Sequence, residues 1–418
     1  MGCQTLNPNL EKESSKVTLV VEAVGTISPE HLADGLLSIV VFGSGTGEAI
    51  VVKLPDGKVG VVDGCRRKAD ADDPVQALVE KLKVDRLLFA CLTHPHEDHF
   101  AGLADVVKAF DPEHLIWAGT EHQRLLEHFA KSFRDFQIAS QAIADGVDPR
   151  ELEMLVDEFV RRSQRKSRSR TGPRSRAQSL SDHKLLLTIP HDSETIELWG
   201  VLPTTTALHR ALGKNSAAGE PPAEDQEPVL GETDANEISG AMLIRWGAAS
   251  VLLAGDSLIG RANHHEGWAA ADWIPAPVQI VKVAHHASSG AHSDELWDRL
   301  KPQVALVTPF RNAVGTQPPR ETMLSKLCAA TEILVLTARP AWWAKRSVLS
   351  ARPAWDIAPP LAGTPFDCAQ PASQSYGAVS VSIDKAGTVK RVVAAGAARQ
   401  IQSTGSLSNP IARPTPGV

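Results

Sequence analysis

Thr93-His94-Pro95-His96-Glu97-Asp98-His99-Phe100-Ala101-Gly102-Leu103 directly follows the apolar run Leu87-Leu88-Phe89-Ala90-Cys91-Leu92. A short, uniformly apolar run of this kind reads as a buried strand. Behind it, three histidines and two acids fall within six residues. Titratable groups at that density, at the mouth of a core strand, lose solvation unless something compensates them. Imidazole and carboxylate together suit borderline divalent cations such as Zn²⁺, Mn²⁺ or Fe²⁺. On a loop, neighbouring residues can face two adjacent positions, so His94 and His96 can serve one ion while Asp98 and His99 serve a second. Gly102-Leu103 then lets a helix begin directly behind the loop. The plain alternative is an exposed His-rich turn.

Other parts of the chain argue against that alternative. Val61-Val62-Asp63-Gly64 ends an apolar run in an acid, and so does Val251-Leu252-Leu253-Ala254-Gly255-Asp256-Ser257. Ile280-Val281-Lys282-Val283-Ala284-His285-His286 ends one in histidine. A single Asp after a strand is usually a turn former or helix cap. Four apolar strands that each end in a potential ligand place those ligands along one edge of the sheets.

Around these motifs the sequence is strand-rich. Apolar runs at 17–24, 36–42, 49–54, 59–62 and 86–92 predict strands, with a tight hairpin at Asp56-Gly57. Val75, Leu78, Val79 and Leu82 share one face of a predicted helix over 74–83. From 121 to 162 the period turns helical, with Leu125, Leu126, Phe129 and Phe133 in one stripe and Leu152, Leu155, Val156, Phe159 and Val160 in another. From Arg161 to Arg176 the chain reads RRSQRKSRSRTGPRSR, too polar to bury a core, and is expected to be a mobile loop. Strands are predicted again at 184–189, 195–202, 239–246, 250–254, 280–284, 304–309, 333–337, 378–383 and 389–393. The organisation is therefore one domain over 1–418. It carries a helical and basic insertion at about 120–182, an acidic, Pro-rich loop at about 213–236 and a disordered tail from about 402. The fold class is α/β, two sheets face to face with helices outside.

Composition excludes several classes. The 418 residues are 43% hydrophobic and 22% charged, with a net charge of -6, so the molecule is not built to coat a polyanion. Cys3, Cys65, Cys91, Cys328 and Cys368 are odd in number and contain no C-x-x-C pair, which argues against a disulfide framework. No apolar run reaches the roughly 18 residues that span a bilayer. Met1-Gly2-Cys3-Gln4-Thr5-Leu6 matches neither a lipoprotein nor a myristoylation signal, and the expected location is cytoplasmic, away from any membrane.

The order Asp63, HxHxDH at 94–99, Asp256 and His285 resembles the metallo-β-lactamase superfamily of hydrolases. It is most similar to the metallo domain of the DNA-uptake protein ComEC and its soluble relatives. Gly45-Thr46-Gly47-Glu48-Ala49, Asn236-Glu237-Ile238-Ser239, His285-His286-Ala287-Ser288 and the stretch from Asn312 to Pro318 look like that branch's further motifs. The resemblance spans about residues 36–395 and implies a four-layer αββα sandwich with two divalent ions, zinc first and manganese second, in a cleft at one edge. By position, His94 and His96 would bind the first ion, Asp98, His99 and His285 the second, and Asp256 would bridge. Asp63 would orient the histidine loop, with Asn236 and Ser239 also supporting the ligands. Many members carry one more histidine between the loop and the bridging acid. Here only His183, His191 and His209 are available, none in a convincing context, so the first ion is expected to be a ligand short. Gly315-Thr316-Gln317-Pro318 also departs from the branch's Gly-His-Pro.

Two ions about 3.5–4 Å apart lower the pKa of a bridging water and stabilise charge on a phosphoryl or carbonyl oxygen. The reaction class is hydrolysis, with Asp98 and His286 as candidate catalytic groups and His292 as a further proton donor on the same loop as His286. A phosphodiester substrate, in a nuclease, is the first reading, with nucleic acid tracked by the basic stretch from Arg161 to Arg176. A small-molecule ester, thioester or lactam is the second, in a pocket walled by the 121–160 helices. A catalytically silent metal-binding partner for another protein is the third. Trp342, Trp343 and Trp355 read as packing anchors rather than base-stacking platforms.

Overall fold

The computed structural model describes residues 19–43, 47–66, 73–118, 150–164, 176–212, 232–260, 266–310, 318–338, 340, 355–357 and 377–403. Uniformly apolar strands need cover on both faces, and the central strands have it. Every residue of Leu37–Gly43, Glu48–Lys53 and Phe89–Leu92 is buried, as is every residue of Ala249–Leu253 and Ile280–Lys282. Two nine-stranded sheets result. The first runs, in spatial order, Val21–Val24, Val389–Gly396, Gly377–Ile383, Leu37–Gly43, Glu48–Lys53, Val59–Val62, Phe89–Leu92, His114–Ala118 and Arg176–Leu180. The second runs Trp355–Ile357, Arg399–Ser403, Ile333–Leu336, Val304–Val307, Ile280–Lys282, Ala249–Leu253, Ala241–Trp246, Glu194–Leu202 and Lys184–His191.

Side chains alternate across each strand, and the second sheet uses both faces. Ile244, Val251, Leu253 and Ile280 join Ile39, Val41 and Val61 of the first sheet in one core. Leu243, Leu252 and Val281 point the other way, into a second core with Trp297, Leu324 and Leu327. Those last three lie on helices Asp294–Leu300 and Glu321–Ala330. On the far side of the first sheet, Leu78, Val106 and Leu155 come from helices Pro74–Lys81, Leu103–Phe110 and Arg150–Gln164. The layers are thus helix, sheet, sheet, helix, the expected αββα sandwich.

The arrangement of parallel strands positions the site. Val59–Val62 pairs in parallel with Phe89–Leu92, and Ala249–Leu253 with Ile280–Lys282. Parallel pairing brings their C-terminal ends to one edge, where open α/β sheets bind ligands. The Asp56-Gly57 hairpin forms as predicted, with Gly57 at φ +86°.

Several expectations change. Arg161 and Arg162 do not belong to a loop: they end the helix Arg150–Gln164. Arg162 is buried and pairs with Glu158 and Asp111, while Arg161 pairs with Glu158. Arg176 opens a strand rather than closing a loop. Residues 232–236, expected to be weakly structured, lie in the helix Glu232–Glu237, and Gln402 and Ser403, expected in the tail, lie in the strand Arg399–Ser403. The stripe at 125–133, Asn312, Trp342, Trp343 and the tail from 404 lie outside the described residues. No helix among the described residues is long and apolar enough to cross a membrane. Cys91 and Cys328 are free thiols.

Candidate metal centre

Asp63 sits at φ +60° where its strand ends, and its carboxylate organises the histidine loop. Oδ1 accepts from the Thr93 backbone N–H at 2.7 Å, and Oδ2 accepts from Thr93 Oγ1 at 2.7 Å and meets His99 Nδ1 at 2.8 Å. Burial raises the Asp63 carboxyl pKa against the pull of His99. With Nδ1 of His99 held from behind, Nε2 is turned inward.

The same device recurs at His94 and His286. Nδ1 of His94 meets Thr93 Oγ1 at 3.1 Å and Ser239 Oγ at 3.2 Å, so Nε2 faces His96 Nδ1 at 3.0 Å. Nδ1 of His286 donates to the Thr308 carbonyl at 2.8 Å, which presents Nε2 to Asp98 Oδ2 at 3.2 Å and Asp256 Oδ2 at 3.3 Å. Fixing one ring nitrogen to orient the other is how proteins preset metal-binding histidines. Asp256 receives its own support from Ser239, whose Oγ accepts the Asp256 N–H at 2.9 Å.

Charge points to a cation. Burial opposes the charge on Asp256, yet His286 and His99 hold its carboxyl well below the usual carboxylate range. Burial likewise disfavours the His286 imidazolium, but Asp256, Asp98 and Glu48 push its pKa up to about 10. His99 is driven well above its ordinary value against burial, by Asp256, Asp98 and Asp63. His94, buried beside two other imidazoles, is held well below and stays neutral. His99 Nε2 and Asp256 Oδ1 are buried 3.4 Å apart, neither in a hydrogen bond of good geometry. Buried donors left this way are what a divalent ion satisfies.

Donor atoms of Glu48, His99, Asp256 and His286 all lie within 4.8 Å of one another. Glu48 nevertheless commits one oxygen to Lys282 and the other to Thr308 Oγ1, which sets it behind the ligands. Asp98 Oδ2, 3.7 Å from His99 Nε2, is the better third partner for His99 and His286. In the sequence Glu48 stands in a glycine-rich motif without an evident role, and Lys282 and Thr308 carry no motif that marks them as its partners. The one signal was a lysine inside the apolar run 280–284.

The adjacent histidines are placed differently from expectation. His286, expected as a proton donor, has Nε2 turned to Asp98 and Asp256. His285, expected to join Asp98 and His99, has Nε2 3.9 Å from Asp256 Oδ2 and 3.5 Å from Asn236 Nδ2. The cause is backbone conformation: both residues are left-handed, at φ +46° and +52°. His292 pairs with Asp294 at 2.7 Å. His183 packs against Trp273 with the rings tilted by 33° and His191 lies against Trp246, while the His209 side chain is outside the described residues.

Glycines admit the close approaches. A Cβ on Gly47 would lie 2.7 Å from the Asp98 carbonyl, and one on Gly255, at φ +52°, would lie 2.4 Å from the Gly240 carbonyl. Gly255→Ala is therefore expected to cost at least about 1 kcal/mol, since a left-handed residue with a side chain is strained by that much. Because Asp256 is the next residue, cation affinity should fall with it. Thermal melts with and without Zn²⁺ check both effects.

No curated protein matches the sequence. Among solved structures, a motif mutant of the metallo-beta-lactamase from Cronobacter sakazakii is 13% identical, with 56% of this chain and 64% of that one covered, at a TM-score of 0.28. A mutant of the CmlA beta-hydroxylase is 14% identical, covering 65% and 45%, at 0.32. A diphosphatase from the PhnP family is 12% identical, covering 71% and 94%, at 0.31. This chain spans less than two thirds of the first two. The model of the Metallo-beta-lactamase superfamily matches residues 49–213. That match takes in Asp63 and the whole 93–99 loop, and the chain carries a metallo-β-lactamase superfamily domain.

Proposed function

We propose that the protein is a binuclear metal-dependent hydrolase acting on phosphodiesters, as a nuclease. One observation carries this reading: His99 Nε2 and His286 Nε2 meet at the Asp256 carboxylate with Asp98 Oδ2 beside both, and the His94 ring lies 4.1 Å from that of His99 and 4.6 Å from that of His96. Divalent ions held there, zinc first and manganese second, would activate water and offset charge on a phosphoryl oxygen. The protein's own part is orientation. Asp63, Thr93, Ser239 and Thr308 fix the ring nitrogens, so no reorganisation is needed when charge develops.

The phosphodiester preference is supported by the likeness of the motifs to the ComEC metallo domain. A second support is Arg165, Lys166, Arg168, Arg170 and Arg174, which remain of the basic stretch once Arg161, Arg162 and Arg176 are assigned to helix and strand. The purified protein is expected to cleave single- or double-stranded DNA or RNA with Mn²⁺ or Zn²⁺, and to stop when a chelator is added. Absence of cleavage on all of these substrates with either ion retires the nuclease reading.

A second reading, hydrolysis of a small-molecule ester, thioester or lactam, is favoured by a cavity of about 250 Å³ that reaches Ser239 and Ser257. Leu202, Leu258 and Ile259 give it apolar walls, and the Arg210–Glu266 ion pair borders it. None of residues 150–160, the described part of the segment expected to wall such a pocket, lines it. Turnover of small esters without nucleic-acid cleavage would select this reading.

A further inference from the structure

We infer that the consecutive His285 and His286 are divided between the two cation positions, His286 joining Asp98 and His99, and His285 joining His94 and His96. The inference rests on the binuclear reading above and deepens it, since it supplies the first ion's missing imidazole.

Adjacent residues of an extended chain point to opposite sides. Here they do not. His285, His286 and Ala287 are successive non-glycine residues at φ +46°, +52° and +63°. Such strain persists only where the surroundings over-determine it, and it gathers at functional sites. Its effect is specific: both imidazoles are brought to one carboxylate oxygen. Asp256 Oδ2 is 3.3 Å from His286 Nε2 and 3.9 Å from His285 Nε2, with the ring centroids 6.2 Å apart.

The orientation of His285 matches that of His94, His99 and His286. Nδ1 meets Ser288 Oγ at 3.0 Å, leaving Nε2 directed at Asp256 and Asn236. The His285 N–H donates to the Gly255 carbonyl at 3.0 Å, which ties the turn to the residue before Asp256. With His286 already beside Asp98, the second position has three side chains of its own plus the shared Asp256, and the first has, of the expected ligands, His94 and His96. Among the described side chains, His183 and His191 pack on tryptophans and offer no alternative.

The test counts and compares ions on the full chain. Protein loaded with Co²⁺ is measured for metal content, chelator competition and ligand-field absorption, none of which depends on turnover. The parent is expected to hold two ions. His285→Ala should weaken one of them by at least about tenfold, with the absorption change produced by His94→Ala, and the two substitutions combined should remove no second ion. Adding His286→Ala to His285→Ala should weaken both. His285→Gln repeats the comparison if the metal-free alanine variant melts below the metal-free parent. Two ions held with parental affinity in the His285 variants would overturn the assignment. Fewer than two ions in the parent would sink the binuclear reading itself.

Discussion

Asp256→Ala is expected to strip the centre of metal and with it of hydrolysis. The carboxylate is 2% exposed and lies 3.4 Å from His99 Nε2 and 3.3 Å from His286 Nε2, so imidazoles from both sheets address it. Removing even a supporting partner of a ligand typically lowers metal affinity 10–100-fold, and loss of the shared ligand should exceed a hundredfold or so. Metal analysis after dialysis checks this directly. A second readout is independent of metal. Asp256 is the main group holding the His286 pKa up at about 10 against burial, so in the metal-free variant that value should fall, as seen by NMR titration of the imidazole. Hydrolysis surviving in a metal-free Asp256→Ala protein would refute the proposed chemistry. Loss of metal with no hydrolysis in the parent to lose would favour the silent-partner reading.

Lys282→Met is expected to destabilise the fold by about 3–5 kcal/mol, the usual cost of leaving a buried charge without its partner. Lys282 and Glu48 are 0% and 1% exposed, and Lys282 Nζ donates to Glu48 and, at 3.0 Å, to the Gly255 carbonyl. Against a typical total stability of about 5–15 kcal/mol, that loss is a large fraction. Denaturant unfolding of the metal-free protein measures it. Adding Glu48→Gln removes the stranded charge and should recover part of the loss, a coupling that a double-mutant cycle quantifies. If Lys282→Met costs less than about 1 kcal/mol, the pair is not the buried support described above.

Much of the centre was legible because its donors follow apolar runs in the chain. Asp63, His94 and Asp256 each come within three residues of a buried strand's end, so strand pattern alone aligned them. Backbone handedness has no such signature. Which of His285 and His286 meets Asp98 depends on three left-handed residues that the sequence HHAS does not announce. Glu48 was similarly hidden, because its partners Lys282 and Thr308 lie 234 and 260 residues further along. Arg176–Leu180 escaped notice as a strand because RAQSL is polar, which suits an edge. Glu321–Ala330 buries only Met323, Leu324 and Leu327, too few for its helical period to stand out among strands.

The donor set is split by origin: Asp63 and the 94–99 loop extend from the first sheet, whereas Asp256, His285 and His286 extend from the second. The centre is consequently a seam between two halves, and neither half can assemble it alone. A small change in the tilt of one sheet against the other would open or close the gap between the two groups of donors, without any ligand changing its rotamer. Insertions at the far ends of either sheet leave that gap untouched. Long additions are tolerable there, whereas the register between Glu48–Lys53 and Ile280–Lys282 is not free to drift, because Glu48 and Lys282 pin the halves together at the seam.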